Sequence, residues 1–540
     1  MTKLNLRQNL VYSLSELKKD IYSFFNFLKD NKLATILCWF FILLSYGIKL
    51  FWYSIGLDTD IAINDMPWTL KWWMSIDRSG LVFTKKIFNL IPLNPYVEIF
   101  LMFFAIFWAL MVLCFLFSYI SQKFNSKSKL EFIIPCVFIT QPLMEDQFNF
   151  TLQAFEFSFA LFLVFTAVFM VTRWVLDSKN VLHLILAFLL LVWSFWSYQA
   201  IVFLCFAIIL AIFVLIYSSK LDLSHDENFL RKVALRYAIF FISVFFTYFV
   251  ANKCIGLFFN LFKDDYLNNM FLWNKGDILI CLMKILHYML KFKTYWILAL
   301  LMVFYTCIIL RKKRNNKILF CLAVLGLIIS PFILSIYLGN GLLPRMQIVL
   351  SFVMAFIFYF LASNIKLKFI KSLIVAMSLM LAFNQSYTVS GLLYSRYMRY
   401  QSEVELAHKI SERIANLNIE NIEDVPIDFI GIMYPEPVHL KTFFECWSPS
   451  TGVAGSALSF MKTIGYNYKM PNEEDHKKAK EIAKTMKTWP SKEAVKYEDG
   501  IIVVKLSEEP QPPDAAQSAN SKKDKVINKI KDYKITDDDI

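Results

Sequence analysis

The sequence predicts an all-α polytopic membrane protein of about eleven transmembrane helices, with a small α/β domain following the last of them. Three observations carry that fold class. Of the 540 residues, 57 % are hydrophobic and 17 % aromatic, more apolar surface than one water-soluble core buries. Apolar runs of about 20 residues, the length that crosses a bilayer as helix, recur from Leu33 to Tyr387. Lysine and arginine concentrate in alternate connections between those runs, as they do in loops on the cytoplasmic side.

Spans are expected near residues 34–53, 96–120, 131–143, 151–173, 181–198, 200–218, 233–254, 295–310, 318–338, 346–363 and 371–386. The third is short and carries Pro135 and Pro142, so a broken or partly embedded helix is expected there. Residues 277–292 read as an additional amphipathic or re-entrant piece. The stretch 1–33 has mixed charge and lacks a small-residue cleavage site, so the first apolar run is expected to stay as an anchor. The clusters at Lys123 to Lys129, Arg173 to Lys179, Lys220 to Lys232, Arg311 to Lys317 and Asn364 to Lys371 fall on the side of the N-terminus. That places the N-terminus in the cytoplasm and everything after about Tyr387 outside.

The opposite side receives the loop 54–95, the connection Glu145 to Phe150, the segment Lys263 to Gly276 and the region 387–506. In that last region Tyr394 to Leu417 and Glu473 to Met486 read as helices, and Asp428 to Tyr434 and Ile501 to Leu506 as strands. The tail 507–540, rich in Pro, Ser, Lys and Asp, reads as disordered.

Several function classes fall away. The net charge of +13 sits in short clusters, without the long basic stripe that tracks nucleic-acid phosphates. The cysteines lie mostly inside apolar runs without CxxC spacing, and the six histidines are scattered; neither a disulfide framework nor a metal site follows. No phosphate-binding glycine loop and no GxSxG elbow occurs in the required context. No cofactor is expected.

The chemistry is sought in the first outer loop. Asp58 and Asp60 directly follow a membrane helix, with Asp65, Trp68, Trp72, Trp73 and Asp77-Arg78-Ser79-Gly80 after them. A carboxylate at the bilayer surface beside aromatic rings suits a sugar acceptor; a hydrated loop with an interfacial aromatic belt fits equally. Glycosyl transfer from a lipid phosphate needs a base for the acceptor hydroxyl and a cation for the departing phosphate. Asp58 or Asp60 fits the first role and Arg345 the second, because Gly339 to Arg345 is a brief outer connection feeding into a helix. Snorkelling to the interface is the other reading of Arg345. Glu145, Asp146 and Glu156 are costly acids at helix ends that face a cavity or a partner. Tyr198 and Gln199 form a tight turn, to donate hydrogen bonds there or cap the helices.

In these residues the chain resembles the polytopic glucosyltransferases of the Gtr type II class, which decorate bacterial O-antigens and cell-wall polysaccharides. The resemblance is carried by Gly56-Leu57-Asp58-Thr59-Asp60, Trp73, Asp77-Arg78-Ser79-Gly80-Leu81, Glu145-Asp146-Gln147-Phe148, Ser197-Tyr198-Gln199-Ala200, Tyr394 and Trp489-Pro490, in that order. It implies a GT-C-like fold in the bacterial inner membrane and a polyprenyl-phosphate sugar donor made by a separate synthase and flipped outward. The sugar, glucose by resemblance, would pass to an extracytoplasmic glycan, with Asp58 or Asp60 as base and Arg345 and Arg78 on the donor phosphate. Two departures stand out: Asp77 precedes Arg78 where the class usually has Gly, and Asp60 stands where Glu is common. A flippase or transporter of lipid-linked sugars and a polysaccharide polymerase are the alternatives. The one-sided basic loops predict that a reporter fused after residue 506 is active only outside the cytoplasm, and a reporter at the N-terminus only inside; activity of the C-terminal fusion in the cytoplasm contradicts the topology.

Overall fold

The computed structural model describes residues 3–55, 58–124, 129–219, 227–261, 270–274, 278–312, 316–431, 433 and 454–508. Lipid offers backbone amides no partners, so apolar chain that crosses it must be helical. The principal helices are α1 (Lys3–Asp30), α2 (Lys32–Tyr46), α3 (Thr59–Asn64), α4 (Met66–Ser75), α5 (Ser79–Ile87), α6 (Pro95–Lys123), α7 (Ile133–Ile139), α8 (Pro142–Asn149), α9 (Ala154–Leu176) and α10 (Val181–Ser197). They continue with α11 (Ala200–Ser218), α12 (Glu227–Phe258), α13 (Ile278–Leu290), α14 (Lys293–Lys312), α15 (Lys317–Ile329), α16 (Ile348–Asn364), α17 (Lys368–Ala415), α18 (Ala454–Thr463) and α19 (Glu473–Ala483).

Seven helical stretches among the described residues are long and apolar enough to cross a membrane: Pro95–Lys123, Thr151–Leu176, Ala200–Ser218, Asn228–Phe258, Lys293–Arg311, Lys317–Leu338 and Lys368–Ala415. Four shorter apolar helices, α2, α10, α13 and α16, accompany them. The chain is a helical membrane protein. Helices α6, α9, α11 and α16 bury most of their side chains, whereas α12, α14 and α17 turn residues such as Phe246, Phe304 and Phe369 outward, surface that lipid covers and water would not.

The break expected at 131–143 is there as two short helices, α7 and α8, because Pro142 cannot continue α7 and starts α8 in its first turn. One expectation needs correction. The span expected at 371–386 and the helix expected at 394–417 are one helix, α17: Gly391, the weakest helix former between them, costs only about 1 kcal/mol. The amphipathic piece at 277–292 is α13, which buries Cys281, Ile285 and Tyr288, one stripe at helical spacing.

The described chain divides into two compact units, one ending at Ser402 and one beginning at Glu403. In the second, β1 (Ile427–Ile430) pairs parallel with β3 (Ile501–Lys505), which pairs antiparallel with β2 (Val495–Glu498). The strand β2 was not expected; its signal is Asp499-Gly500, both with positive φ, a two-residue hairpin turn. Helix α19 opens with a capping box between Asn472 and Asp475 and lays Ala479, Ile482 and Ala483 on Ile430, Ile501 and Val503. The Trp489 ring lies 4.0 Å below the Arg413 guanidinium, which also donates to the carbonyls of Pro490 and Ser491. The tail from 509 lies outside the described residues.

In the first unit, segments expected on one side of the membrane meet one another. Arg173, at the end of α9, binds Glu16 at 2.7 Å and Asp20 at 2.8 Å on α1. At the other end the loop 54–95 folds into α3, α4 and α5. Asp65 caps α4 by accepting from the Trp68 amide at 3.0 Å, with Pro67 in the first turn. Ala62, Met66, Trp73, Ile76, Leu81 and Val82 form a core with Phe150 and Leu152. Helix α5 approaches α10 closely: a Cβ on Gly80 would stand 2.5 Å from the Ser197 amide nitrogen and 2.7 Å from the Trp193 carbonyl oxygen.

One buried ion cluster pins that loop to the bundle. Lys85 on α5 is bonded to Glu98 at the start of α6 and lies 2.8 Å from Glu156 at the start of α9, all three without exposure. A lysine out of water is tolerated only with such partners. Replacing it strands two carboxylates, so Lys85→Met is expected to destabilise by about 3–5 kcal/mol. Adding Glu98→Leu and Glu156→Leu should recover most of that loss. Thermal unfolding in detergent micelles checks both, and a wild-type melting point for Lys85→Met alone contradicts the role of the cluster.

Candidate functional site

Helix α8 packs against the turn Pro344–Met346 and against α16, and its two acids decide what gathers there. Glu145 and Asp146 are each 1 % exposed, so their charges need cations. Arg396 on α17 supplies one, with Nε at 2.6 Å and Nη2 at 3.2 Å from the two Glu145 oxygens, and Nη2 at 3.4 Å from Asp146 Oδ1. Arg345 supplies the other, with Nη1 3.6 Å from Asp146 Oδ2. The Arg345 amide donates to the same oxygen at 3.3 Å, so one carboxylate sets both the backbone and the head of this residue.

Aromatic rings fix the next contacts. The Arg345 guanidinium lies 4.9 Å from the centre of the Phe150 ring. The Tyr198 hydroxyl donates to the Arg345 carbonyl at 3.4 Å, and the Arg78 guanidinium lies 5.2 Å from the Tyr198 ring centre. A cation over an aromatic face is held by the ring quadrupole. The neighbouring Gln199 donates to the Ile76 carbonyl at 2.8 Å, which ties the α10–α11 turn to the segment that leads into Arg78.

The charges of these two arginines reach Asp58. Burial pushes its carboxyl above the ordinary aspartate range, and the Arg345 and Arg78 guanidiniums, the charges acting on it, pull it back part of the way. Its backbone is left-handed, with φ of 65°, a conformation aspartate tolerates better than bulky residues. Gly56 and Leu57 of the resemblance motif lie outside the described residues. Asp77 also has positive φ, 62°; a position where glycine is at ease thus holds one of the few other residues that adopt the conformation at modest cost. Burial raises the Asp77 carboxyl as well.

The remaining sequence candidates are placed as follows. Asp60 is 5 % exposed in the first turn of α3, and its carbonyl accepts from the Asn64 amide group at 2.9 Å. Trp73 is buried in the core of the loop with Lys85 5.9 Å from its ring centre. Glu156 is bound to Lys85 in the ion cluster of the loop. The structure therefore joins Arg78, Tyr198, Arg345, Asp146 and Glu145 in one chain of contacts, brings Asp58 within range of the two arginine charges, and places Trp73 and Glu156 in another. Among the described residues no three His, Cys, Asp or Glu side chains converge in a metal-binding arrangement, and Asp65 is used as a helix cap.

Sequence reasoning passed over Arg396, Lys85 and Glu98. Arg396 had a weak signal, a cation on a helix otherwise continuing an apolar span. Lys85 and Glu98 had none, because their partners are distant in the chain.

The sequence model of glucosyl transferase GtrII matches residues 47–362, more than half of the chain. The protein belongs to the glucosyl transferase GtrII family. It is therefore a glycosyltransferase. The matched stretch holds Asp58, Arg78, Glu145, Asp146, Tyr198 and Arg345, whereas Arg396 lies beyond it. No curated protein and no solved structure matches the chain.

Proposed function

We propose that this GtrII glucosyltransferase transfers a sugar, glucose by its family, from a polyprenyl-phosphate donor to a glycan on the extracytoplasmic face of the bacterial inner membrane. The observation that carries this reading is the gathering of Arg345 and Arg78 about Tyr198, with Asp58 within range of both their charges. A base for the acceptor and cations for the phosphate are the two groups that transfer from a lipid phosphate needs. Asp58 takes the proton of an acceptor hydroxyl, whose oxygen attacks the anomeric carbon. The bond from that carbon to the phosphate oxygen breaks, and its electron pair leaves with the polyprenyl phosphate. A single displacement of this kind inverts the anomeric centre. Charge grows on the phosphate as the bond breaks, so Arg345 and Arg78 stabilise the transition state more than the ground state. The face assignment is supported by the basic loops gathered at the other end. Membrane lipid surrounds the protein, and a donor synthase and a flippase are the partners such a donor implies.

The test incubates purified protein with polyprenyl-phosphate glucose and candidate glycans, reads transfer by mass spectrometry, and follows kcat/KM against pH. A base works only when ionised, so activity should rise with pH through the raised Asp58 value and level off above it. Arg345 lowers that value, so Arg345→Met should lower kcat/KM and also move the rising limb to higher pH. Transfer without any shift of the limb in Arg345→Met contradicts the assignment of Asp58 as the base beside Arg345.

A further inference from the structure

A lysine that cannot reach water needs an anion beside it, and Lys85 and Lys49, both buried, meet that need differently. Lys85 has two carboxylates in contact. Lys49 is 6 % exposed, yet its Nζ makes one hydrogen bond, to Thr151 Oγ1 at 3.4 Å, and among the described residues no carboxylate is in ion-pair contact with it. The charges that reach it are those of Glu145 and Arg396, which already bind each other at two points. Thr151 directly follows Phe150, whose ring carries the Arg345 guanidinium. A buried cation with unused donors, at the edge of these acids and arginines, is a place for an anion that the protein does not itself supply.

What leads to Lys49 says which anion. A groove of about 610 Å³ lies between α2 and α17, lined by Leu37, Phe41, Leu379, Met380, Phe383 and Asn384, with Met380 and Phe383 turned outward. Beyond it, toward the site, the two helices stay side by side. The Ser45 hydroxyl donates to the Ser386 hydroxyl at 2.9 Å, and the Trp52 ring stacks on that of Tyr397, next to Arg396, with ring centres 5.2 Å apart. Leu37, Phe41, Ser45 and Lys49 follow one another at intervals of four, the spacing of one ridge along a helix. Gly47 keeps helical backbone, with φ of −57° and ψ of −28°, so the ridge runs on into the short helix Ile48–Phe51. The ridge that walls the groove and touches α17 therefore ends in Lys49, about 12–18 Å from the groove at roughly 1.5 Å per residue.

An apolar path at one end and a cation without a contacting counter-ion at the other describe one kind of molecule, a lipid with an anionic head. We propose that the isoprenoid chain of the polyprenyl-phosphate donor lies in the groove between α2 and α17 and that Lys49 binds its phosphate. This rests on the donor proposed above. Of the lipids in a bilayer, that donor is the one whose head must come to these residues for the reaction, whereas a phospholipid has two chains to place. Lys49 thereby joins Arg345 and Arg78 as a cation for the donor.

The experiment uses the full chain in lipid nanodiscs and a polyprenyl-phosphate glucose carrying a photoreactive diazirine in its isoprenoid chain. Labelled peptides are mapped by mass spectrometry, alongside affinity for polyprenyl phosphate and its glucosyl form, and thermal unfolding. Label should fall on residues 37–41 and 379–384, be displaced by unlabelled donor, and be lost in Leu379→Trp, which fills the groove. Lys49→Met should lose at least about 10-fold in affinity for both the bare and the glucosylated lipid, the loss of a charged hydrogen bond to phosphate. Its melting point should hold or rise, since a buried cation without a contacting carboxylate has been replaced by an apolar group. Labelling of the wild type carries the test if Lys49→Met fails to fold. Label on other outward faces, at Phe246 or Phe304, overturns the proposal. So does groove labelling that a diazirine phospholipid reproduces and excess donor does not displace, which assigns the groove to bulk lipid. Wild-type affinity in Lys49→Met, with or without a fall in melting point, overturns the role of Lys49 and leaves the donor assignment standing. If wild type binds neither polyprenyl phosphate nor its glucosyl form, the donor reading falls and this proposal with it.

Discussion

Glu145 and Asp146 have almost no access to water, and two carboxylates in that position are tolerable only if cations are brought to them. The chain brings Arg396 from about 250 residues away and Arg345 from 199. The two pairings differ in kind. Arg396 makes a two-point contact with Glu145, the strong geometry for arginine and carboxylate, whereas Asp146 is divided between Arg396 and the longer approach of Arg345. Arg345 is therefore held in place while its counter-charge is shared. The turn Pro344–Met346, the Tyr198 ring beneath Arg78 and the α10–α11 connection are positioned through it.

A consequence follows for the proposed reaction. Glu145 and Asp146 are paired with Arg345 and Arg396, and Asp58 feels the charges of Arg345 and Arg78. When Asp58 accepts the acceptor's proton it loses a negative charge, and the departing phosphate gains one. Both changes fall beside Arg78 and Arg345, so the charge these arginines see moves and does not grow. Where the surroundings are of low dielectric, keeping the total constant avoids a large electrostatic cost. The second cluster, Lys85 with Glu98 and Glu156, has no such mobility: it is sealed from solvent and fastens the loop that carries Arg78.

Much of this was legible in the sequence, for a physical reason. Apolar runs report burial in lipid directly, and charges at their ends are costly enough to signal a partner or a function; hence Arg345 and the α8 acids draw attention from the sequence, while Asp58, Arg78 and Tyr198 do so through the loop and turn motifs that hold them. What a single chain does not display is pairing across long separations. Glu156 reads as facing a cavity or a partner; that the partner is Lys85 is not legible, because Lys85 reads as an ordinary loop lysine. Arg396 lay hidden in α17, where the expected break between span and following helix does not exist. Trp73 read as a sugar platform, yet Lys85 and the apolar loop core enclose it. The helices α7 and α8 were harder than the long spans because their two prolines announce an interruption without its position.

The central claim is that Asp58, and not its neighbour Asp60, is the base. Single-turnover transfer from polyprenyl-phosphate glucose tests it most directly, measured for Asp58→Asn and Asp60→Asn at saturating donor. Because a positioned base contributes about 10² to 10⁴ in rate, Asp58→Asn should slow the chemical step by that factor with donor binding retained, and Asp60→Asn should slow it far less. Wild-type single-turnover rates in Asp58→Asn would contradict the account.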